Sequence, residues 1–290
     1  MPDAGPLGPA TVVVLGLLSA ASFGASDFGG GLSSRHVPIL GVALIVNIVG
    51  GLIAVVVAVL IGEAAPTPGA LVFACLAGAA GVLGIIGLYQ GLAVGQMGVV
   101  APVVGVVGAT IPVLVGLVVQ GAPRPEVAIG IALALVAVVV VSGSQDAINR
   151  TAGLQFAIMG GLGIGLFNTL ISRLPEGSVW WPLLALKITV VAILVGAVVL
   201  TRRPWRVPGS RIVTTSAIGV LDMSGNVFYV LATQTGRLDI AAVLSSLYPV
   251  VTVVLAILVL REHVNRRHAV GIATAAVGVA LIALGSNAPG

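Results

Sequence analysis

Residues 38–62 read Pro38-Ile-Leu-Gly-Val-Ala-Leu-Ile-Val-Asn-Ile-Val-Gly-Gly-Leu-Ile-Ala-Val-Val-Val-Ala-Val-Leu-Ile-Gly62, and Asn47 is the one polar side chain in the run. A helix crosses the hydrocarbon core of a bilayer in about 20 apolar residues, so this stretch reads as a membrane span. The same ruler laid along the rest of the chain marks ten runs: 11–31, 38–62, 69–94, 98–119, 126–143, 153–172, 179–201, 211–233, 239–260 and 268–285. A transmembrane barrel would alternate apolar and polar residues over segments of about ten. These runs are continuously apolar instead. The reading is an all-α integral membrane protein with ten transmembrane helices. The first run has no basic residue before it, since residues 1–10 carry only Asp3. It is expected to be retained as a span rather than cleaved as a signal.

Composition agrees. Of 290 residues 58% are hydrophobic and 8% charged, against about 25% charged in a soluble domain. The mean hydropathy is +1.20. Disorder is excluded by these figures. A disulfide framework is excluded because Cys75 is the only cysteine. The net charge of +4 does not point to nucleic acid, because basic and aromatic residues never interleave. The arginines gather between the apolar runs, as membrane flanks do. The expected partners are the lipid bilayer and a small-molecule substrate.

Sliding the chain against itself by 141 residues reveals an internal repeat. Gly130-Ile-Ala-Leu-Ala-Leu-Val-Ala-Val138 falls on Gly271-Ile-Ala-Thr-Ala-Ala-Val-Gly-Val279, with six of nine positions identical. Gly95 falls on Gly236, Gly24 on Gly165 and Asp27 on Asn168. Each half, 11–143 and 153–285, holds five runs. An odd number makes the second half insert upside down relative to the first. Inverted repeats of this kind are a transporter architecture, with the site at mid-membrane where the halves meet. Nine arginines (Arg35, Arg150, Arg202, Arg203, Arg206, Arg211, Arg261, Arg266 and Arg267) fall on one side of such a bundle, and three fall with the termini. By the positive-inside rule both termini lie outside.

Ionisable groups in hydrocarbon are costly and usually face a cavity or a partner. Three lie clearly within runs rather than at their first residue: Asp27, Lys187 and Asp222. Lys187 is the only lysine, the other 12 basic residues being arginine. A buried lysine can lose its proton where an arginine cannot, which suits a titrating or ligand-binding amine. At a rise of about 1.5 Å per residue, Lys187 sits roughly 12 Å and Asp222 roughly 13 Å from the face carrying the termini. Asn47 and Tyr248 fall at roughly 13–16 Å by the same count. Asp222, Asn226, Tyr229 and Thr233 recur on one helical face. Ser19, Ser22 and Ser26 form a shorter stripe, with Asp27 off it near the end of its run.

Each feature has a plainer reading. Lys187 with Asp222 also reads as a structural ion pair that fixes helix register. Intramembrane Ser, Thr and Asn serve more often as interhelical glue than as ligands. Asp27 has the alternatives of snorkelling to the interface or pairing with Arg35. No zinc-protease His-Glu-x-x-His, no phosphate-binding Gly-x4-Gly-Lys-Ser/Thr and no potassium-channel filter motif occurs. No metal, no cofactor and no direct use of ATP is expected.

The chain resembles the EamA-type proteins of the drug/metabolite transporter superfamily. The likeness is carried by Leu238-Asp-Ile-Ala-Ala-Val-Leu-Ser-Ser-Leu-Tyr-Pro-Val-Val-Thr252, Leu258-Val-Leu-Arg-Glu262 and Gly271 in the second half, and by Phe23-Gly-Ala-Ser-Asp-Phe-Gly-Gly-Gly-Leu-Ser-Ser-Arg35 in the first. Two positions depart from the family pattern, Gly121 standing where a Glu is usual and Phe23 where a Trp is usual. The resemblance implies ten spans in an inverted repeat, a bacterial inner or plasma membrane location, cytoplasmic termini, and export or exchange of small metabolites by alternating access. The expected function is therefore secondary transport, with protons as a candidate coupling ion. Lys187 would bind a substrate carboxylate or phosphate, or exchange a proton with Asp222. Asn47, Asn168, Asn226, Tyr229 and Tyr248 would orient the ligand, and Asp27 is the third ionisable candidate. The competing readings are a scaffold or accessory subunit, and a membrane-embedded lipid-modifying enzyme using Asp222 and Lys187.

Overall fold

The computed structural model of the protein describes residues 9–95, 147–234, 248–261 and 266–286, together with Ser245 and scattered positions between 99 and 136. Every element among the described residues is a helix. They are α1 (Pro9–Ser34), α2 (Ile39–Ile61), α3 (Pro68–Val94), α4 (Ala147–Ile171), α5 (Trp180–Thr201), α6 (Gly209–Gln234), α7 (Tyr248–Leu260) and α8 (Arg266–Ser286). Most of the runs expected at 98–119 and 126–143, and nearly all of 239–247, lie outside the described residues. Among the described residues five helices are long and apolar enough to cross a membrane: α2, α3, α5, α6 and the Gly153–Ile171 part of α4.

Local chemistry sets the helix ends. α2 stops where Gly62 turns left-handed at φ 63° and returns its N–H to the Ala58 and Val59 carbonyls, a conformation glycine adopts without a Cβ clash. α3 starts behind Thr67, whose hydroxyl accepts from Ala70 N–H at 3.3 Å, with Pro68 inside the first turn. α5 has no cap of its own and borrows one. The Glu63 carboxylate, just beyond α2, accepts from the backbone N–H groups of Val179, Trp180 and Trp181, at 2.9 Å for the last. The Glu63 carbonyl accepts from the Trp181 indole N–H at 2.9 Å. An anion at a helix N-terminus satisfies orphan donors and complements the helix dipole. On the same rim the Gln234 side chain donates to the carbonyls of Pro175 and Ser178 at 3.2 and 3.0 Å.

Glu63→Ala orphans several donors at once. The expected result is a loss of about 1–3 kcal/mol, read as a lowered unfolding midpoint of the purified protein. Glu63→Gln, which keeps one acceptor oxygen, should recover part of it. An unchanged midpoint in Glu63→Ala would count against the borrowed cap.

Packing joins the first three helices to the next three. α3 packs on α4, α1 on α6 and α2 on α5, while α3 also touches α5 and α2 touches α6. Exchanging α1, α2 and α3 for α4, α5 and α6 leaves this set of neighbours unchanged. The glycine contacts repeat the exchange nearly residue for residue. A Cβ on Gly84 would lie 2.9 Å from the Ile164 side chain, and one on Gly225 would lie 2.7 Å from the Phe23 ring. Both members of each pair are 141 residues from their counterparts. Gly78 abuts the Leu186 carbonyl and Gly219 the Val46 carbonyl, at 2.7 and 2.9 Å by the same measure. Gly24 meets Val251 of α7, and Gly165 meets Ile111. Small residues let helix backbones approach where lipid supplies no hydrophobic drive. The outer surface is apolar, with Leu52, Val56, Leu60, Ile188, Leu200 and Val213 all exposed. Water would not tolerate so continuous a patch, and lipid does.

Candidate functional site

Lys187 lies two turns into α5, between the buried Leu186 and Val190. Its long stem needs space, and α2 leaves it. A Cβ on Gly50 would lie 3.0 Å from Lys187 Cε, and one on Gly51 would lie 3.5 Å from Lys187 Cβ. The ammonium therefore reaches α6, where Nζ donates to Asp222 Oδ2 at 2.5 Å. Both side chains are largely shielded, 3% and 14% exposed. In so apolar a place each charge requires the other. Asn226, one turn on, donates through Nδ2 to the Asp222 carbonyl at 2.7 Å and to Oδ2 at 3.4 Å.

Asn47 stands one turn before the Gly50-Gly51 notch and is fully buried. Its Nδ2 donates to the Ala43 carbonyl at 2.9 Å, and its Oδ1 has no partner among the described residues. The same is true of Asn226 Oδ1 and the Tyr248 hydroxyl. Buried polar atoms are nearly always satisfied, and among the described residues these three have no partner.

Asp27 projects from α1, half-buried. Gly30, three residues on, abuts the ring of Tyr89 on α3. Arg35, the partner considered from the sequence, points elsewhere. Its guanidinium donates to the Leu92 and Gly95 carbonyls at 3.4 Å and closes the end of α3.

The remaining candidates separate. Tyr229 is buried in an apolar cluster with Met223, Val230 and Val179, away from the bonds around Asp222. Thr233 donates to the Val230 carbonyl of its own helix at 2.8 Å. The four-residue stripe on α6 is therefore a polar pair, Asp222 and Asn226, followed by core. Asn168 is half-buried on α4 beyond Gly161 and Gly165, and joins none of these bonds. Ser19 and Ser26 act as glue, donating to the α6 carbonyls of Gly225 and Ile218 at 3.0 and 3.4 Å.

Two residues escaped the sequence reading. Tyr89 is buried against Gly30. Its signal was available, because a tyrosine inside a membrane helix needs a partner for its hydroxyl, and it is one of only three in the chain. Glu63 carried no signal, because the donors it serves lie 116 or more residues away. Among the described residues no group of His, Cys, Asp and Glu is arranged to hold a metal ion.

Comparison with known proteins adds three findings. Residues 151–284 match the model of the EamA-like transporter family. A solved structure described only as "Crystal structure of protein" superimposes with a TM-score of 0.65 and 17% identity, over 94% of this chain and 96% of the other. At that identity the likeness is one of fold. Among curated proteins none matches the chain.

Proposed function

We infer, from the match of residues 151–284 to the model of the EamA-like transporter family, that the whole protein is a secondary transporter of a small polar or amphipathic metabolite. It works by alternating access in a bacterial inner or plasma membrane, in the direction of export or exchange. Its two halves, 11–143 and 153–285, form inverted repeats of five spans each. The neighbour exchange between α1–α3 and α4–α6 supports a two-fold relation of the halves. A site at mid-membrane between such repeats is the place where both access states share contacts with a ligand.

The observation that carries this reading is the Lys187–Asp222 ion pair, enclosed at the junction of the halves and accompanied by unsatisfied polar atoms on α2, α6 and α7. The pair joins helices of one half, while its pocket is lent by α2 of the other. Rocking of the halves thus changes the surroundings of the pair without separating its members. Lys187 and Asp222 are the groups through which protons would be coupled, and Asn47 and Asn226 those that orient the ligand.

A substrate binds the folded protein and raises its stability. A thermal-shift screen of the purified protein against a metabolite library is expected to yield a chemically related set of stabilising compounds. Those compounds should show counterflow in proteoliposomes. A folded, reconstituted protein that moves none of them faster than protein-free liposomes would overturn the transporter reading in favour of a scaffold.

A further inference from the structure

We propose that the loop joining α5 to α6, from Arg202 to Arg211, is a docking site for the phosphate headgroup of an anionic phospholipid. The inference goes beyond the transport reading and does not depend on it.

The loop reads Arg202-Arg-Pro-Trp-Arg-Val-Pro-Gly-Ser-Arg211, with four arginines and no acidic residue. All four side chains are exposed. Among the described residues none of their guanidinium groups makes an ion pair or a hydrogen bond. Like charges held this close repel one another, and a bound anion relieves the repulsion. The planar guanidinium fork matches the oxygens of a phosphate in pairs. The helix that follows adds to the field. α6 opens at Gly209 with no acidic residue in its first turn, so the positive end of its dipole is left uncompensated.

Position identifies the anion. Leu200, two residues before Arg202, is 85% exposed, and Val213, two residues after Arg211, is 79% exposed. In a membrane these side chains face acyl chains, and two residues of helix rise about 3 Å. The arginines therefore stand where acyl chains give way to phosphates. Trp205 stands among them, 47% exposed, and tryptophan is enriched at that same interface. A soluble polyanion would have to displace the headgroups already beside the loop.

The loop is also held in shape. Arg202 ends α5 at φ 50°, a left-handed conformation uncommon outside glycine, and its N–H donates to the Val198 carbonyl at 2.9 Å. Arg203 N–H donates to the Thr201 hydroxyl at 3.4 Å. Gly41 of α2 lies directly against the Trp205 carbonyl, and Val207 packs on the buried cluster that contains Val42 and Val46. A fixed backbone lowers the ordering cost of binding. The 141-residue shift sets this loop against residues 61–70, whose one charge is Glu63. That charge turns inward, onto the start of α5, whereas the four here turn outward. The repeat does not require arginines at this corner, and the seat belongs to one membrane face.

The test titrates purified full-length protein in neutral detergent micelles with dioleoyl phosphatidylglycerol and reads the melting temperature. Dioleoyl phosphatidylcholine, inorganic phosphate and a single-stranded oligonucleotide are the other probes. The loop variant combines Arg203→Gln with Arg206→Gln. The control variant combines Arg261→Gln with Arg266→Gln, two exposed arginines outside the loop. Phosphatidylglycerol should raise the melting temperature of wild type, and phosphatidylcholine should not. The loop variant should need about 25-fold more phosphatidylglycerol for half the effect, at roughly fivefold per arginine removed. The control variant should respond as wild type does. Equal stabilisation by phosphatidylcholine, or equal weakening in both variants, would overturn the proposal. So would stabilisation by phosphate or by the oligonucleotide where phosphatidylglycerol gives none. Native mass spectrometry of the same samples supplies a second reading that does not rest on melting. The loop variant should retain fewer phosphatidylglycerol molecules than wild type, and an equal number would also overturn the proposal.

Discussion

Lys187→Ala is expected to lower the stability of the protein by about 3–5 kcal/mol and to abolish solute flux. The stability loss comes from Asp222, which stays behind as an uncompensated carboxylate in an apolar environment. Asn226 Nδ2 at 3.4 Å is too weak a donor to replace an ammonium. The alanine variant alone therefore confounds folding with function. The informative variant is Lys187→Met combined with Asp222→Asn, which removes both charges and keeps the volume. Replacing a buried ion pair by neutral residues of similar size is often energetically neutral. The double variant should unfold within about 1 kcal/mol of wild type and still fail to transport in proteoliposomes. Wild-type counterflow by the double variant would show that the pair only fixes helix register.

Gly160→Val is expected to prevent α3 and α4 from packing. A Cβ at Gly160 would lie 2.8 Å from the Leu88 backbone nitrogen and 3.1 Å from the Gly87 carbonyl carbon. Gly87 is equally enclosed, its Cβ position lying 2.7 Å from both Gly160 Cα and the Phe156 carbonyl oxygen. These neighbours are backbone, which cannot swing aside as a side chain does. Overpacking costs about 1–3 kcal/mol where side chains absorb it, and Gly160→Val should reach or exceed the upper end. Gly196 is the control, with nothing within 4 Å of its Cβ position. Gly196→Ala should leave the unfolding midpoint unchanged or raise it, since alanine is the better helix former by about 1 kcal/mol. Comparable midpoints for Gly160→Val and wild type would contradict the close approach.

Much of the frame was legible in the residues. The run at residues 38–62 became α2, Ile39–Ile61. Rise per residue put Lys187 and Asp222 at one depth, and they are bonded. Such inferences succeed because helical geometry is local, so depth and face follow from counting along one element. The 141-residue shift anticipated Gly24 and Gly165 as equivalent, and both seat a helix in the structure.

Counting does not say which neighbour a helical face meets. Tyr229 shares a face with Asp222 and Asn226, yet α6 turns that part of the face into apolar core. Asp27 and Arg35 are near in sequence, yet the arginine closes the end of α3. Glu63 caps a helix that begins 117 residues later, and Tyr89 meets Gly30 because α3 packs beside α1. The sequence by itself determined the solvent, the spans and the depth of each charge, because these depend on composition and on a periodicity internal to each helix. The tertiary structure decided which charges are paired and which backbone groups the others serve. That is set by how the helices lie around one another, and pairing a buried charge takes a partner on another helix.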